Sequence, residues 1–323
     1  MSLAAGGAVA LAAALDRMFA EPPIRAHPVA WLGRAAAALD SRLPDSRAAG
    51  VALTATLPAG FAAALAAPVL AVAAPFYPQS GMMGAGIAGV LAGVALFSCT
   101  SHRMLVTEAT AVISLSTADP AAARTRLRSL AGRDAEALRP EQVRSAAVES
   151  AAENLADGLI APYLAFAAGV VLAGMLDAPI HVALAIGVAG AGFIKGINTL
   201  DSMLGYRHRA AGWAPARTDD LLMWVPARVA AVAIALANEP RTAAAVVSRA
   251  RASAGTPTSP NSGWPMATVA SAREIRLEKP NAYTLCPEHA LPSEADAAEG
   301  VRLVSRAAWL AVVAIGLAVV ILA

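Results

Sequence analysis

Long apolar runs alternate with polar blocks along this chain. From Ala48 to His102 there is no Asp, Glu, Lys or Arg, a gap that holds two membrane crossings of about 20 residues each. These fall at 51–74 and 82–98, with a turn at Pro78–Gly81. A second apolar hairpin, 158–176 and 181–197, turns at Asp177–Ile180, and 307–323 forms a final apolar segment. Met1–Leu15 is apolar but short, with no basic residue ahead of it. That argues against a cleaved secretory signal and for an uncleaved anchor or a surface-lying helix. No strand pattern of any length stands out. The pattern predicts an all-α, polytopic helical membrane protein with about five spans, forming a single integral-membrane domain over 1–323.

Composition agrees. The chain is 57% hydrophobic and 15% charged, whereas soluble domains average about 25% charged residues. Only 5% is aromatic, so helices must pack through small residues, as membrane bundles allow. Apart from Lys195, at a helix end, Lys and Arg fall in three polar blocks, 16–50, 99–157 and 198–306, and both hairpin tips lack them. By the positive-inside rule all three blocks face the cytoplasm, which predicts a multi-pass protein of the bacterial cytoplasmic (inner) membrane. Leu221–Ala237 is apolar enough to span, yet it contains Pro226 and Arg228. An Arg at the bilayer centre costs about 2.5–3.5 kcal/mol on insertion scales, so a re-entrant or interfacial helix is expected there. The net charge of +2 and the lack of a basic, aromatic-interleaved stripe give no sign of nucleic-acid binding. Cys99 and Cys286 have no CxxC spacing, which leaves them as packing residues.

Ionisable groups beside apolar helices suggest function by default. Glu149, Glu153 and Asp157 recur at i, i+4 and i+8, which puts three acids on one helical face, with Asn154 among them. Mg²⁺ fits such a face because it takes carboxylates, waters and phosphate oxygens; a solvated face paired with Arg144 fits it too. Further on, Lys195, Asn198 and Asp201 can share a face. Here a snorkelling lysine and a helix-terminal acid are the bland alternative. Arg207, Arg217, Asp219 and Asp220 follow, the last two also suited to capping a helix that starts at Leu221. The Ser259-Pro-Asn261-Ser262-Gly263-Trp264-Pro stretch dictates a tight loop, either an ordinary turn or a nest of backbone N–H groups for an anion. His27 is a substrate-binding or a structural histidine. Gly84-Ala-Gly86-Ile-Ala-Gly89 matches GxGxxG but lies inside an apolar span, where small-residue packing explains it better, as it does Gly89-xxx-Gly93 and Gly192-xxx-Gly196. There is no P-loop and no hydrolase elbow.

Six segments carry a resemblance: HPVAWLGR (27–34), GRDAEAL (132–138), VESAAENLADGLIAPY (148–163), KGINTLDSMLGYR (195–207), GWAPARTDDLLMWVPAR (212–228) and SPNSGWP (259–265). In order and spacing they are similar to the CobD/CbiB family. The resemblance implies a membrane-embedded adenosylcobinamide-phosphate synthase of cobalamin biosynthesis. Such an enzyme joins the carboxylate of a corrinoid substrate, adenosylcobyric acid, to aminopropanol or aminopropanol phosphate, with ATP and Mg²⁺. It implies metal-nucleotide binding by Glu149, Glu153, Asn154 and Asp157, and catalysis by Lys195, Asn198, Asp201, Asp219 and Asp220. Substrate binding would fall to His27, Arg207, Arg217, Ser259, Asn261, Ser262, Gly263 and Trp264, on a face open to the cytoplasm. The lipid bilayer is a partner, and a homo-oligomer is compatible with the chain. Two segments depart from the family pattern: Ala20-Glu21-Pro22 replaces Gly-Asp-Pro, and a glycine-rich, Tyr-containing stretch survives only as Glu278-Lys-Pro-Asn-Ala-Tyr283. The alternative is a non-catalytic, AmpE-like inner-membrane sensor, against which the joint presence of ENLADG, TLDSM and SPNSGWP argues. A transporter would place ionisable groups near mid-membrane, whereas the expected spans hold none except Lys195 at a boundary.

Overall fold

The computed structural model describes residues 2–73, 81–132, 135–206 and 209–323. In chain order the helices are α1 (Ser2–Phe19), α2 (Pro28–Asp40), α3 (Arg47–Ala73), α4 (Gly81–Phe97), α5 (His102–Ala118), α6 (Pro120–Leu127) and α7 (Pro140–Leu155). A π-helical turn, Ala156–Ile160, leads from α7 into α8 (Ala161–Met175). Then come α9 (Ile180–Leu204), α10 (Trp213–Leu222), α11 (Trp224–Asn238), α12 (Ala243–Ser253) and α13 (Gly263–Arg273). A two-stranded antiparallel hairpin, β1 (Leu277–Lys279) and β2 (Tyr283–Leu285), precedes α14 (Glu294–Leu322). The fold is all-α and polytopic, as the apolar pattern predicts.

Among the described residues, six stretches are long and apolar enough to cross a membrane: Ser2–Phe19, Arg47–Ala71, Gly81–Ala118, Pro140–Met175, Ile180–Leu204 and Glu294–Leu322. The first is the short N-terminal run, now long enough to count with the expected spans. α10 and α11 pass the same test only as a pair broken at Met223, in keeping with the doubt that Arg228 cast on a straight crossing there. Exposed residues on the apolar helices are themselves apolar, among them Met82, Val90 and Val94 on α4 and Val313, Leu317 and Ile321 on α14. Such a surface is suited to lipid.

The chain divides into two compact units. The first comprises Met1–Ser101, Ala161–Leu222 and Val312–Ala323. Its centre is α9, packed against α2, α3, α4, α8 and α10. Close approach needs small residues. A methyl group at Gly196 would come within 2.9 Å of Pro58 Cα on α3, and one at Gly187 within 2.8 Å of the Phe166 carbonyl oxygen on α8. Gly93 and Gly89 do the same for α4 against α1, which bears out the small-residue reading of both GxxxG pairs.

The second unit comprises His102–Ile160 and Met223–Ala311. Here α7 is the inner element, with Val143, Ala146, Ala147, Val148, Ala151 and Ala152 buried and α5, α6, α13 and β1 packed around it. The hairpin escaped the sequence reading because each strand is three residues long, too short to display a period of two. Its tip is fixed by Asn281, whose φ of 62° is a conformation that asparagine tolerates better than most residues.

Ala20, directly after α1, has a φ of 65°. That left-handed conformation costs a residue with a Cβ about 1–2 kcal/mol, and it falls at the position where the family pattern has glycine. Ala20→Gly is therefore expected to raise thermal stability in detergent. The gain is about 1 kcal/mol once the larger conformational entropy of unfolded glycine is subtracted. An unchanged or lowered Tm would show that the turn is not strained.

Candidate functional site

The described candidate residues divide between the two units. In the first, Lys195, Asn198 and Asp201 occupy the half-buried face of α9, away from the buried Ile194, Gly196, Ile197 and Leu200. The expected shared face is present. Asp201 lies in the last turn of α9, and Asp219 and Asp220 lie in the last turn of α10. The capping role considered for Asp219 and Asp220 is therefore corrected: the next helix starts at Trp224, and its N-cap position, Met223, makes no side-chain capping bond. A carboxylate at a helix C-terminus meets the negative end of the macrodipole and is unfavourable there without a cation nearby. Arg217 approaches Asp220 at 3.9 Å but is largely exposed, so that pair adds little. Asp201 and Asp220 are near enough for their charges to interact. All three acids thus sit at C-terminal helix ends, where the backbone dipole favours a positive charge.

His27 is the N-cap of α2, its Nδ1 accepting from Val29 N at 3.2 Å, and its Nε2 lies 3.8 Å from Glu21. Burial lowers its pKa from the ordinary 6.5; Glu21 pulls the other way, and the charge of Lys195 adds to the lowering. His27 thus belongs to the same neighbourhood as Lys195, some 170 positions away in sequence. The segment after α9 is tied down by Arg209, whose Nη1 and Nη2 donate to Asp40 at 3.0 and 2.8 Å. Asp45 accepts from the backbone N–H groups of Ala210 and Ala211. Arg207 lies outside the described residues.

In the second unit the three acids of α7 and its π turn do not behave alike. Glu149 is wholly buried, while Glu153, Asn154 and Asp157 are half-buried. Glu149 Oε1 accepts from Ser145 Oγ at 2.7 Å, and Oε2 accepts from the Tyr283 hydroxyl at 2.7 Å. Ser145 Oγ in turn accepts from the backbone N–H of Glu278 at 2.8 Å. Glu149 therefore anchors the hairpin to α7, a part that the family-based metal assignment did not foresee. Asp157 lies within the π turn, so the register assumed for i, i+4 and i+8 widens before it is reached. Such turns concentrate at functional sites. Asn154 Nδ2 donates to Ser150 O at 3.0 Å, within its own helix. Among the described residues no three His, Cys, Asp or Glu side chains converge as a closed metal cage.

The Ser259–Gly263 stretch is the expected tight loop. Asn261 N donates to Ser259 Oγ at 3.2 Å, and Trp264 N donates to Asn261 O at 3.0 Å. Gly263 opens α13 where any Cβ would overlap the Ala254 carbonyl, so no other residue fits without the backbone moving. Ser262 makes no side-chain capping bond. Asn261 is buried, its Oδ1 accepting from Arg228 Nη1 at 2.5 Å. The Arg228 guanidinium lies 4.6 Å from the Trp224 ring centroid and 5.0 Å from that of Trp264. One indole assigned to substrate thus also carries an arginine. Sequence reasoning saw Arg228 only as an obstacle to a crossing; the tryptophan four residues before it was the available signal. α11, which carries Arg228, also packs against the π turn.

A family model described as CobD/Cbib protein matches residues 9–311. The probable cobalamin biosynthesis protein CobD of Methanothermobacter thermautotrophicus is 34% identical over 286 residues, which cover 85% of this chain and 84% of that protein. The probable cobalamin biosynthesis protein CobD of Methanothrix thermoacetophila is 31% identical over 316 residues, covering 97% and 96%. The cobalamin biosynthesis protein CobD of Rhodobacter capsulatus is 34% identical over 318 residues, covering 91% and 90%. No solved structure matches.

Two measurements follow from this geometry. Tyr283→Phe removes one donor to a buried carboxyl, at a cost of about 1–3 kcal/mol. It should also speed amide exchange across 277–285; unchanged exchange would mean that the hairpin is held by other contacts. For His27 the depressed pKa favours the neutral imidazole in the folded state. Its contribution is therefore present above the ordinary value and lost as pH falls through the lowered one. Wild type should lose more Tm on acidification than His27→Asn, which keeps an acceptor for Val29 N–H; identical pH profiles would contradict this.

Proposed function

Because the chain belongs to the CobD/CbiB family, we propose that it is the amide ligase that joins adenosylcobyric acid to aminopropanol or its O-phosphate, giving adenosylcobinamide or its phosphate. The observation that carries most weight is the placing of Asp201, Asp219 and Asp220 at helix C-termini, where a cationic partner is favoured. An amine substrate arrives at neutral pH as an ammonium ion and must lose a proton before it can attack. Asp201 and Asp220 suit both needs: they bind the ammonium, and one of them accepts the proton. Asp219, on the same turn, adds to the negative field, and Asn198 offers an amide beside them.

A carboxylate is a poor electrophile until it is activated. In the proposed sequence the carboxylate oxygen of the corrinoid attacks the γ-phosphorus of ATP, giving an acyl phosphate and ADP. The amine nitrogen then attacks the acyl carbon, the C–O bond to phosphate breaks, and inorganic phosphate leaves. Developing negative charge on phosphate calls for cations, a role given to Lys195, Arg207 and Arg217. His27, held beside Lys195, contacts substrate as a neutral imidazole. The Ser259, Asn261, Ser262 and Gly263 loop cradles a phosphate, and Trp264 packs against the corrin or the nucleotide.

Mg²⁺ fits the donor set that remains. It is held by one or two carboxylates, waters and substrate phosphates rather than by a closed cage, and the half-buried Glu153 and Asp157, with Asn154, meet that demand. Glu149, assigned with them from the family, has both oxygens accepting from hydroxyl groups and supports the other donors from behind. When bound, Mg²⁺ would screen phosphate charge. The basic blocks orient this chemistry toward the cytoplasm.

Detergent-purified protein with adenosylcobyric acid, aminopropanol phosphate, ATP and Mg²⁺ is expected to yield the amide by mass spectrometry. No product should form when ATP or Mg²⁺ is left out. Asp201→Asn and Glu153→Gln should each lower kcat/KM by about 100-fold or more. Corrinoid binding without product, or full activity in both variants, would contradict the proposal.

A further inference from the structure

We propose that Arg228 is a positioning residue that holds the Ser259–Gly263 loop in its anion-cradling shape, rather than a residue that grips substrate itself. The proposal rests on the ligase reading only for the identity of the anion. Its physical basis is the number of contacts that Arg228 makes to the loop and its support. Nη1 donates to Asn261 Oδ1 at 2.5 Å and to Trp224 O at 3.0 Å, and Nη2 donates to Pro260 O at 3.3 Å. The guanidinium face is covered by the rings of Trp224 and Trp264. Stacking on aromatic faces together with forked donation is an arginine property that lysine cannot reproduce.

The contacts have a direction. Asn261 is buried, and its carbonyl oxygen is the acceptor that Arg228 fills. The Asn261 backbone also receives Trp264 N–H at the start of α13. Arg228 thus fixes Asn261, and the Asn261 carbonyl in turn receives the Trp264 N–H in the first turn of α13. Because α11 also packs against the π turn that carries Asp157, one helix supports both the loop and the acid turn of this unit.

The test uses the full-length protein in detergent with Arg228→Lys, Asn261→Ala and the double variant. Amide exchange by mass spectrometry reads the loop without any need for activity. Arg228→Lys should speed exchange over 255–264 by about tenfold, as loss of a hydrogen bond from a charged group implies. The double variant should exchange no faster than Arg228→Lys alone, because the Asn261 side chain holds the loop through its bond to Arg228, one of the contacts that Arg228→Lys already disrupts. In turnover, Arg228→Lys should raise KM for one phosphate-bearing substrate about tenfold and leave kcat in place, the pattern of lost uniform binding. Unchanged exchange in Arg228→Lys, effects that multiply in the double variant, or a fall in kcat at constant KM would overturn the proposal. If wild type forms no amide, the ligase reading fails, while the exchange data still decide the role of Arg228.

Discussion

The carboxyl group of Glu149 is wholly buried among the alanines and valines of α7, and it is tolerated there because both oxygens receive hydroxyl donors. One donor comes from the preceding turn of its own helix, the other from a hairpin far along the chain. A buried carboxyl without such donors would cost several kcal/mol. The second unit is built to meet that demand. Ser145 is shared between Glu149 and the backbone of β1, and the hairpin presents Tyr283 through a left-handed asparagine turn. The same interaction fixes the helix that carries Glu153 and Asn154 one turn later and leads into the π turn of Asp157.

A second constraint acts in the first unit. Apolar helices leave little room for charge along their length, so charge collects at their ends. Asp201, Asp219 and Asp220 are placed at C-termini, where the macrodipole opposes them and favours a cation. The close packing of α9 through Gly187 and Gly196 gives Asp201 a rigid base. Helix-borne groups hold position better than loop-borne ones. The Ser259–Gly263 loop is held instead by Arg228 and by a glycine that admits no side chain.

Much of this was legible in the sequence, for reasons that can be named. Apolar stretches of span length report helices directly, so α3, α4, α8, α9 and the end of α14 were readable, and small-residue spacing marked α4 and α9 for close packing without naming α1 and α3 as their partners. The Lys195, Asn198, Asp201 face followed from helical period alone. Long-range pairings left no such trace. Tyr283 and Glu149 are 134 positions apart, and nothing local marks them as partners; Ser145 looked like any helical serine. The π turn altered the register at Asp157, which sequence period cannot report. Arg228 was noticed for its cost in lipid, while the compensating tryptophans and the Asn261 carbonyl became visible only in three dimensions.

The central claim, that a corrinoid carboxylate is activated as an acyl phosphate before amide formation, is tested most directly by oxygen transfer. With ¹⁸O in the carboxylate of adenosylcobyric acid, one turnover should deliver one labelled oxygen into inorganic phosphate, alongside ADP. Label retained in the corrinoid and absent from phosphate, or AMP as the nucleotide product, would contradict it.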